Sequence, residues 1–277
     1  MTGRFSRLEF GDDKRSHDER REPTVAGALR PTEALDLYGT PKRDAKHFLM
    51  LAVDSQRTGH HETALQHFTR AVREDRTTVP AWVGQVQMLV ELREYAEARL
   101  WADKALELFR DNGDLLAAKA QACLRQGDTV TALAASDVSL KSSGSSAWRW
   151  AVRGEVMLSR GEAIFRNCLQ KALAEPGADW FDRTLMATMG LFHGKAAWAL
   201  EYAQQGVASQ PNAPFAWLVL GRCQQALGWS EQAHETYRRC LELTPRLEEA
   251  VKAMDGIERE SSGSRLLRRI RSWLRSR

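Results

Sequence analysis

Cysteine is scarce in this chain. The four present, Cys123, Cys168, Cys223 and Cys240, lie far apart with no C-x-x-C among them. Disulfide frameworks and structural zinc sites need closer, paired spacing, so all four read as reduced, buried side chains of a cytoplasmic protein. No apolar run approaches the roughly 18–20 residues that span a bilayer, and "MTGRFSRLEFGDDKRSHDERREP" at the start has no apolar segment of a secretory signal. Arg20-Arg21 is a lone twin arginine followed by Glu and Pro. Any membrane contact is therefore expected to be peripheral. Asparagine occurs three times, at Asn112, Asn167 and Asn212. Acid is missing from residues 261–277, which hold six arginines. Since the whole chain carries a net charge of only +4, everything before that tail is slightly acidic, and no broad cationic face is indicated.

Catalytic patterns are also missing. "GLFHGKAA" has three residues between Gly190 and Gly194, where a phosphate-binding loop has four, and no Ser or Thr follows Lys195. His60, His61 and His67 cluster, but no acid or Cys completes a convincing ligand set, and they read as exposed polar side chains. No H-E-x-x-H or G-x-S-x-G occurs. The expectation is a non-enzymatic protein with no cofactor, no metal and no small-molecule substrate.

What is present is a repeat. "VPAWVGQVQMLVELREYAEARLWADKALEL" and "PFAWLVLGRCQQALGWSEQAHETYRRCLELTP" place Trp82, Ala98 and Ala105 at the spacing of Trp217, Ala233 and Cys240. That register gives unit starts at Ala45, Val79, Gly113, Ala147, Trp180 and Pro214, five units of 34 residues and one of 33, ending at Leu247. Each unit holds two segments of helical apolar spacing. The turn between them falls at Gly59, Arg93, Gly127, Gly161, Gly194 and Gly228. Glycine there ends a helix in the left-handed conformation; Arg93 is the exception.

A 34-residue helix–turn–helix period resembles the tetratricopeptide repeat family. The last unit carries most of the motif in Trp217, Leu220, Gly221, Ala233, Tyr237 and Pro245; the first has Leu51, Ala52, Ala64, Phe68 and Ala71. The third has Ala120, Gly127 and Ala132, and the fifth Ala187, Ala199, Ala203 and Pro211. The fourth keeps Trp150, Gly154 and Ala172 but puts Phe165 where a small residue belongs, so a local distortion is expected. The resemblance implies an all-α, right-handed α-solenoid of six units over 45–247. The motif tryptophans Trp82, Trp150 and Trp217 would be packing. Residues 248–260 follow as a capping helix, with Leu247, Ala250, Val251 and Met254 on one face. Residues 1–44 read as a disordered charged arm with a short helix at 32–38.

The family resemblance also implies a concave groove lined by the first helix of each unit. Its motif positions fall on Leu49, Val53, Gln56 and Arg57, then Val83, Gln87 and Val90, then Ala117, Gln121, Leu124 and Arg125. They continue on Trp148, Ala151, Glu155 and Leu158, and end on Phe181, Thr184, Thr188, Leu191, Phe192, Phe215, Leu218, Arg222 and Gln225. Leu49 and Val53 stand where heat-shock co-chaperones of the family carry a carboxylate clamp, and too few asparagines exist for an asparagine ladder. A lining of apolar side chains and amides suits a protein or peptide partner. Trp148, Phe181, Phe192 and Phe215 are the candidate anchors, with packing between units as the alternative for each.

The tail "SRLLRRIRSWLRSR" has Leu266, Leu267, Ile270, Trp273 and Leu274 on one helical stripe, with Arg265, Arg268, Arg269, Arg271 and Arg275 largely off it. That pattern suits an anionic membrane surface. An acidic groove on a partner, a nucleic-acid phosphate backbone or the solenoid itself are the alternatives. The reading from sequence is therefore an adaptor or scaffold, with a nucleic-acid-associated adaptor or a regulatory subunit of an enzyme encoded elsewhere as alternatives.

Overall fold

The computed structural model describes residues 44–259. The arm before Asp44, with its helix at 32–38, and the basic tail from 261 onward lie outside the described residues. Among the described residues there are helices and no strand.

Twelve helices form six antiparallel pairs. They are α1 (Ala45–Thr58) with α2 (His61–Glu74), α3 (Val79–Glu91) with α4 (Tyr95–Leu108), and α5 (Gly113–Arg125) with α6 (Thr129–Lys141). Then come α7 (Ala147–Ser159) with α8 (Phe165–Ala174), α9 (Trp180–Phe192) with α10 (Ala196–Ser209), and α11 (Pro214–Ala226) with α12 (Ser230–Leu243). A further helix, α13, covers 248–259. Each pair packs on itself and on the next, and the first helices stack in sequence from α1 through α3, α5, α7 and α9 to α11. The fold is an all-α helical repeat solenoid.

Local chemistry fixes the ends of these helices. Asp44, Asn112, Asp128, Ser146 and Asp179 cap α1, α5, α6, α7 and α9 by accepting backbone N–H groups. Five of the six turns inside a pair use glycine at φ between +68° and +90°, and the sixth holds Arg93 at φ +64°. Arg93 therefore takes up a conformation that costs an L-residue roughly 1–2 kcal/mol.

Close helix approach explains the small residues. A Cβ at Gly221 would lie 2.5 Å from the Tyr237 ring inside the last pair, and one at Gly84 would lie 2.3 Å from the Phe68 ring between the first two pairs. Ala52, Ala64, Ala98, Ala105, Ala199 and Ala233 are fully buried at similar crossings. Trp82 and Trp217 do more than fill space. Each donates its indole N–H to a carbonyl of the turn before its helix, Arg76 O at 2.9 Å and Pro211 O at 2.8 Å. The fourth pair is irregular: α8 has ten residues, and the Phe165 ring projects towards Trp198 of the next unit, edge-on at 5.8 Å. At the end, Leu247, Ala250 and Ile257 bury against the last pair, while Val251 is left 38% exposed.

Candidate functional site

The residues expected along the concave face separate into three groups. The first is an open cleft of about 260 Å³ between α1 and α3. Leu49, Val53 and Gln56 of α1 and Val79, Pro80, Val83, Gly84 and Gln87 of α3 line it, together with Phe68 of α2 and Asp114 of α5. Five of the positions read from sequence therefore converge here. Helical spacing explains it, since Leu49, Val53 and Gln56 sit on one stripe of α1 and Val83 and Gln87 on one stripe of α3. Gln56 Nε2 donates to Gln87 Oε1 at 3.0 Å. One bond between two amides uses one donor and one acceptor, so the pair still offers an acceptor on Gln56 and a donor on Gln87.

The second group is a buried charge cluster at the C-terminal ends of α5, α7 and α9. The Glu155 side chain has no exposure, and Arg125 is 6% exposed. Arg125 Nε donates to Glu155 Oε1 at 2.6 Å, Gln121 Nε2 donates to Oε2 at 2.9 Å, and His193 Nε2 lies 3.2 Å from Oε1. Burial pushes the Glu155 carboxyl up, but Arg125, His193 and Gln121 outweigh it and hold it below the usual carboxylate range. Phe192 roofs the cluster with its ring 3.8 Å from the Arg125 guanidinium, and Tyr95 meets that ring edge-on at 6.2 Å.

The third group closes one end of the solenoid on the other. Arg57, at the end of α1, pairs with Asp179 and lies 4.8 Å from the Trp180 ring and 5.2 Å from the Phe181 ring. Phe181 meets Phe215 at 5.8 Å, and Phe215 meets His61 edge-on at 5.2 Å. Phe215 has no exposure at all. It belongs to the packed contact between the ends and offers no ring to an open trough. Arg222 pairs with Glu249, whose Oε1 is also 3.5 Å from His61 Nδ1. His61 is 4% exposed, which corrects its reading as an exposed side chain. Burial lowers its pKa to about 4, against a smaller upward pull from Glu91, so it stays neutral beside Glu249.

Two other expected residues stand apart. Trp148 packs between the central and C-terminal clusters, and its indole N–H is buried without a partner. Thr188 is buried and bonds to Leu185 O of its own helix. Asp179, Trp180 and Glu249 went unread in the sequence because they meet Arg57 or His61 across several units, and His193 because it meets Glu155 of the preceding unit, beyond any local spacing. Among the described residues no three metal-ligating side chains converge, no helix is long and apolar enough to cross a membrane, and all four cysteines are buried and unpaired.

Two tetratricopeptide repeat models match the sequence, one over residues 49–113 and one over 216–247. No curated protein matches the chain. Among solved structures, a tetratricopeptide repeat protein from Parabacteroides merdae is 15% identical, covering 77% of this chain and 84% of its own, at a TM-score of 0.49. YrrB, described as a TPR protein with an unusual peptide-binding site, is 18% identical over 68% of this chain and 97% of its own, at 0.38. The Thermus thermophilus TPR protein TTC0263 is 16% identical over 76% and 97%, at 0.40. The first model falls on α1 to α4 and the second on α11 and α12, the units that carry Trp82 and Trp217. Residues 49–113 and 216–247 are thus tetratricopeptide-type repeats within an all-α helical repeat chain.

Proposed function

We propose that this protein is an interaction adaptor that holds an extended peptide segment of a partner protein in the cleft between α1 and α3. The observation that carries the reading is the convergence of Leu49, Val53, Val79, Pro80 and Val83 on one open apolar cleft beside the Gln56–Gln87 pair. A cleft of about 260 Å³ is below the usual range for small-molecule sites, and it suits one large or two modest apolar side chains. The acceptor on Gln56 and the donor on Gln87 match the N–H and C=O of one peptide unit. A guest therefore gains backbone hydrogen bonds together with side-chain burial.

The basic tail, Ser264 to Arg277, adds placement: its apolar stripe and arginines suit attachment to an anionic membrane surface.

The cleft is tested by selecting a phage-displayed peptide library on the full chain. Enriched peptides should share an aliphatic or aromatic anchor and lose at least tenfold in affinity to Val53→Asp, with helicity unchanged. Val53 is 39% exposed, so the fold tolerates the change while the cleft gains a charge. Peptides that bind Val53→Asp as well as the unaltered chain place the guest elsewhere and refute the reading.

A further inference from the structure

In a stacked array each unit is held by the units on either side, and a terminal unit lacks one neighbour. Its helices are the ones that open first. Here α1 packs on α2 and α3 on its inner side. Its outer end, however, does not stand free. Arg57 reaches Asp179, Trp180 and Phe181 at the start of α9, some 122 residues away. A Cβ at Gly59 would lie 3.3 Å from Phe215 and 3.6 Å from Leu247, so the turn after α1 rests directly on the last unit. His61 continues the same contact onto Phe215 and Glu249.

The same helix builds a wall of the cleft. Leu49, Val53 and Gln56 face the cleft, and the next residue, Arg57, makes the cross-solenoid contact. The position of that wall therefore depends on both ends of the protein.

We propose that the contact of Arg57, Gly59 and His61 with α9, α11 and α13 is a strap that holds α1 where the cleft requires it, so that strap closure and guest binding strengthen one another. The coupling rests on the reading of the cleft as the guest site; the strap itself does not. A wall fixed before the guest arrives spares the cost of ordering it on binding, which raises affinity. By reciprocity, a bound guest tightens the strap by the same factor. The charged groups facing this contact are Arg57 and Asp179 on one side and Glu91, Arg222 and Glu249 around His61.

Hydrogen exchange on the full chain separates the two claims. Arg57→Glu sets an acid against Asp179 at a site about one third exposed, where the variant remains foldable. Exchange in α1 should quicken at least tenfold, while α5 and α7 keep their rates. Arg57→Lys, which keeps the charge, should stay close to the unaltered protein. Unchanged exchange in α1, or an equal rise across α5 and α7, overturns the strap. For the coupling, the peptides selected above are titrated against Arg57→Glu. A loss of tenfold or more supports it, and equal affinity with a loosened α1 overturns it. If the library yields no peptide, the cleft reading fails and the exchange rates still decide the strap.

Discussion

Removing the buried charge of Glu155 tests the accounting of the concave face most directly. The carboxylate has no exposure and is held by Arg125, Gln121 and His193. Glu155→Gln keeps the shape and deletes the charge, leaving the Arg125 guanidinium buried with a neutral neighbour. Breaking a buried pair from one side costs about 3–5 kcal/mol, because the surviving charge has lost both water and counter-charge. At roughly 2–4 °C per kcal/mol for a body of this size, the melting temperature should fall by about 6–20 °C. The double change Glu155→Leu with Arg125→Met should recover most of that loss, since replacing both charges by apolar groups of similar volume is often neutral. The pH dependence has a definite sign. The folded carboxyl titrates below its unfolded value of 4.5, so its contribution is complete above that pH and is lost as pH falls through the folded value. Glu155→Gln should therefore lie below the unaltered protein at pH 7 and converge on it in acid. Thermal melts at pH 7 and pH 3 measure both effects. A Glu155→Gln variant within about 1 kcal/mol of the parent at pH 7 would refute the reasoning, since Arg125 would then be losing nothing.

His61 gives an independent pH signature. The unfolded imidazole takes up a proton near 6.5 and the folded one only near 4, so the unfolded state binds more protons between those values. Stability should fall across that window as pH drops, by up to about 3 kcal/mol, and the His61 ring resonances should titrate near pH 4. A ring midpoint near 6.5 would show that it is solvated and that the ends do not meet there. For the tail, deleting residues 261–277 should abolish sedimentation with anionic vesicles and leave helicity unchanged; equal sedimentation with neutral vesicles would refute membrane attachment by charge.

The helix pairs were legible because their causes are local and repeated. Trp82 and Trp217 head units of the same spacing, glycines recur at one place in the period, and alanines mark the crossings. Even Arg93, the odd residue among those glycines, takes the left-handed conformation its position demands. The irregular fourth unit was signalled by Phe165, although its contact with Trp198 was not. The cleft was half legible: five motif positions of α1 and α3, Leu49, Val53, Gln56, Val83 and Gln87, line it. What lies opposite them was hidden. Curvature is the sum of small rotations from unit to unit, and no residue spacing reports that sum. Arg57, Phe181 and Phe215 were expected on the concave side, and the structure brings the three together. Whether that side holds solvent or another part of the chain depends on how far five successive rotations bring the ends together.

That sum changes the physics of the whole concave face. In an open array, inward charges would stay solvated and each would be worth little. Once the ends meet, Arg57 gains Asp179 and two aromatic faces, and Phe215 leaves water entirely. Arg125 and Glu155, held deeper by the stacking of α5, α7 and α9, need no help from closure, and Phe192 covers them. Most polar groups read as guest contacts are thereby committed to the protein itself. Gln56 and Gln87, bonded to each other, keep one acceptor and one donor uncommitted beside apolar walls. The proposed guest site therefore falls in the first two units, and the contact between the ends engages α1, the helix that forms one wall of that cleft.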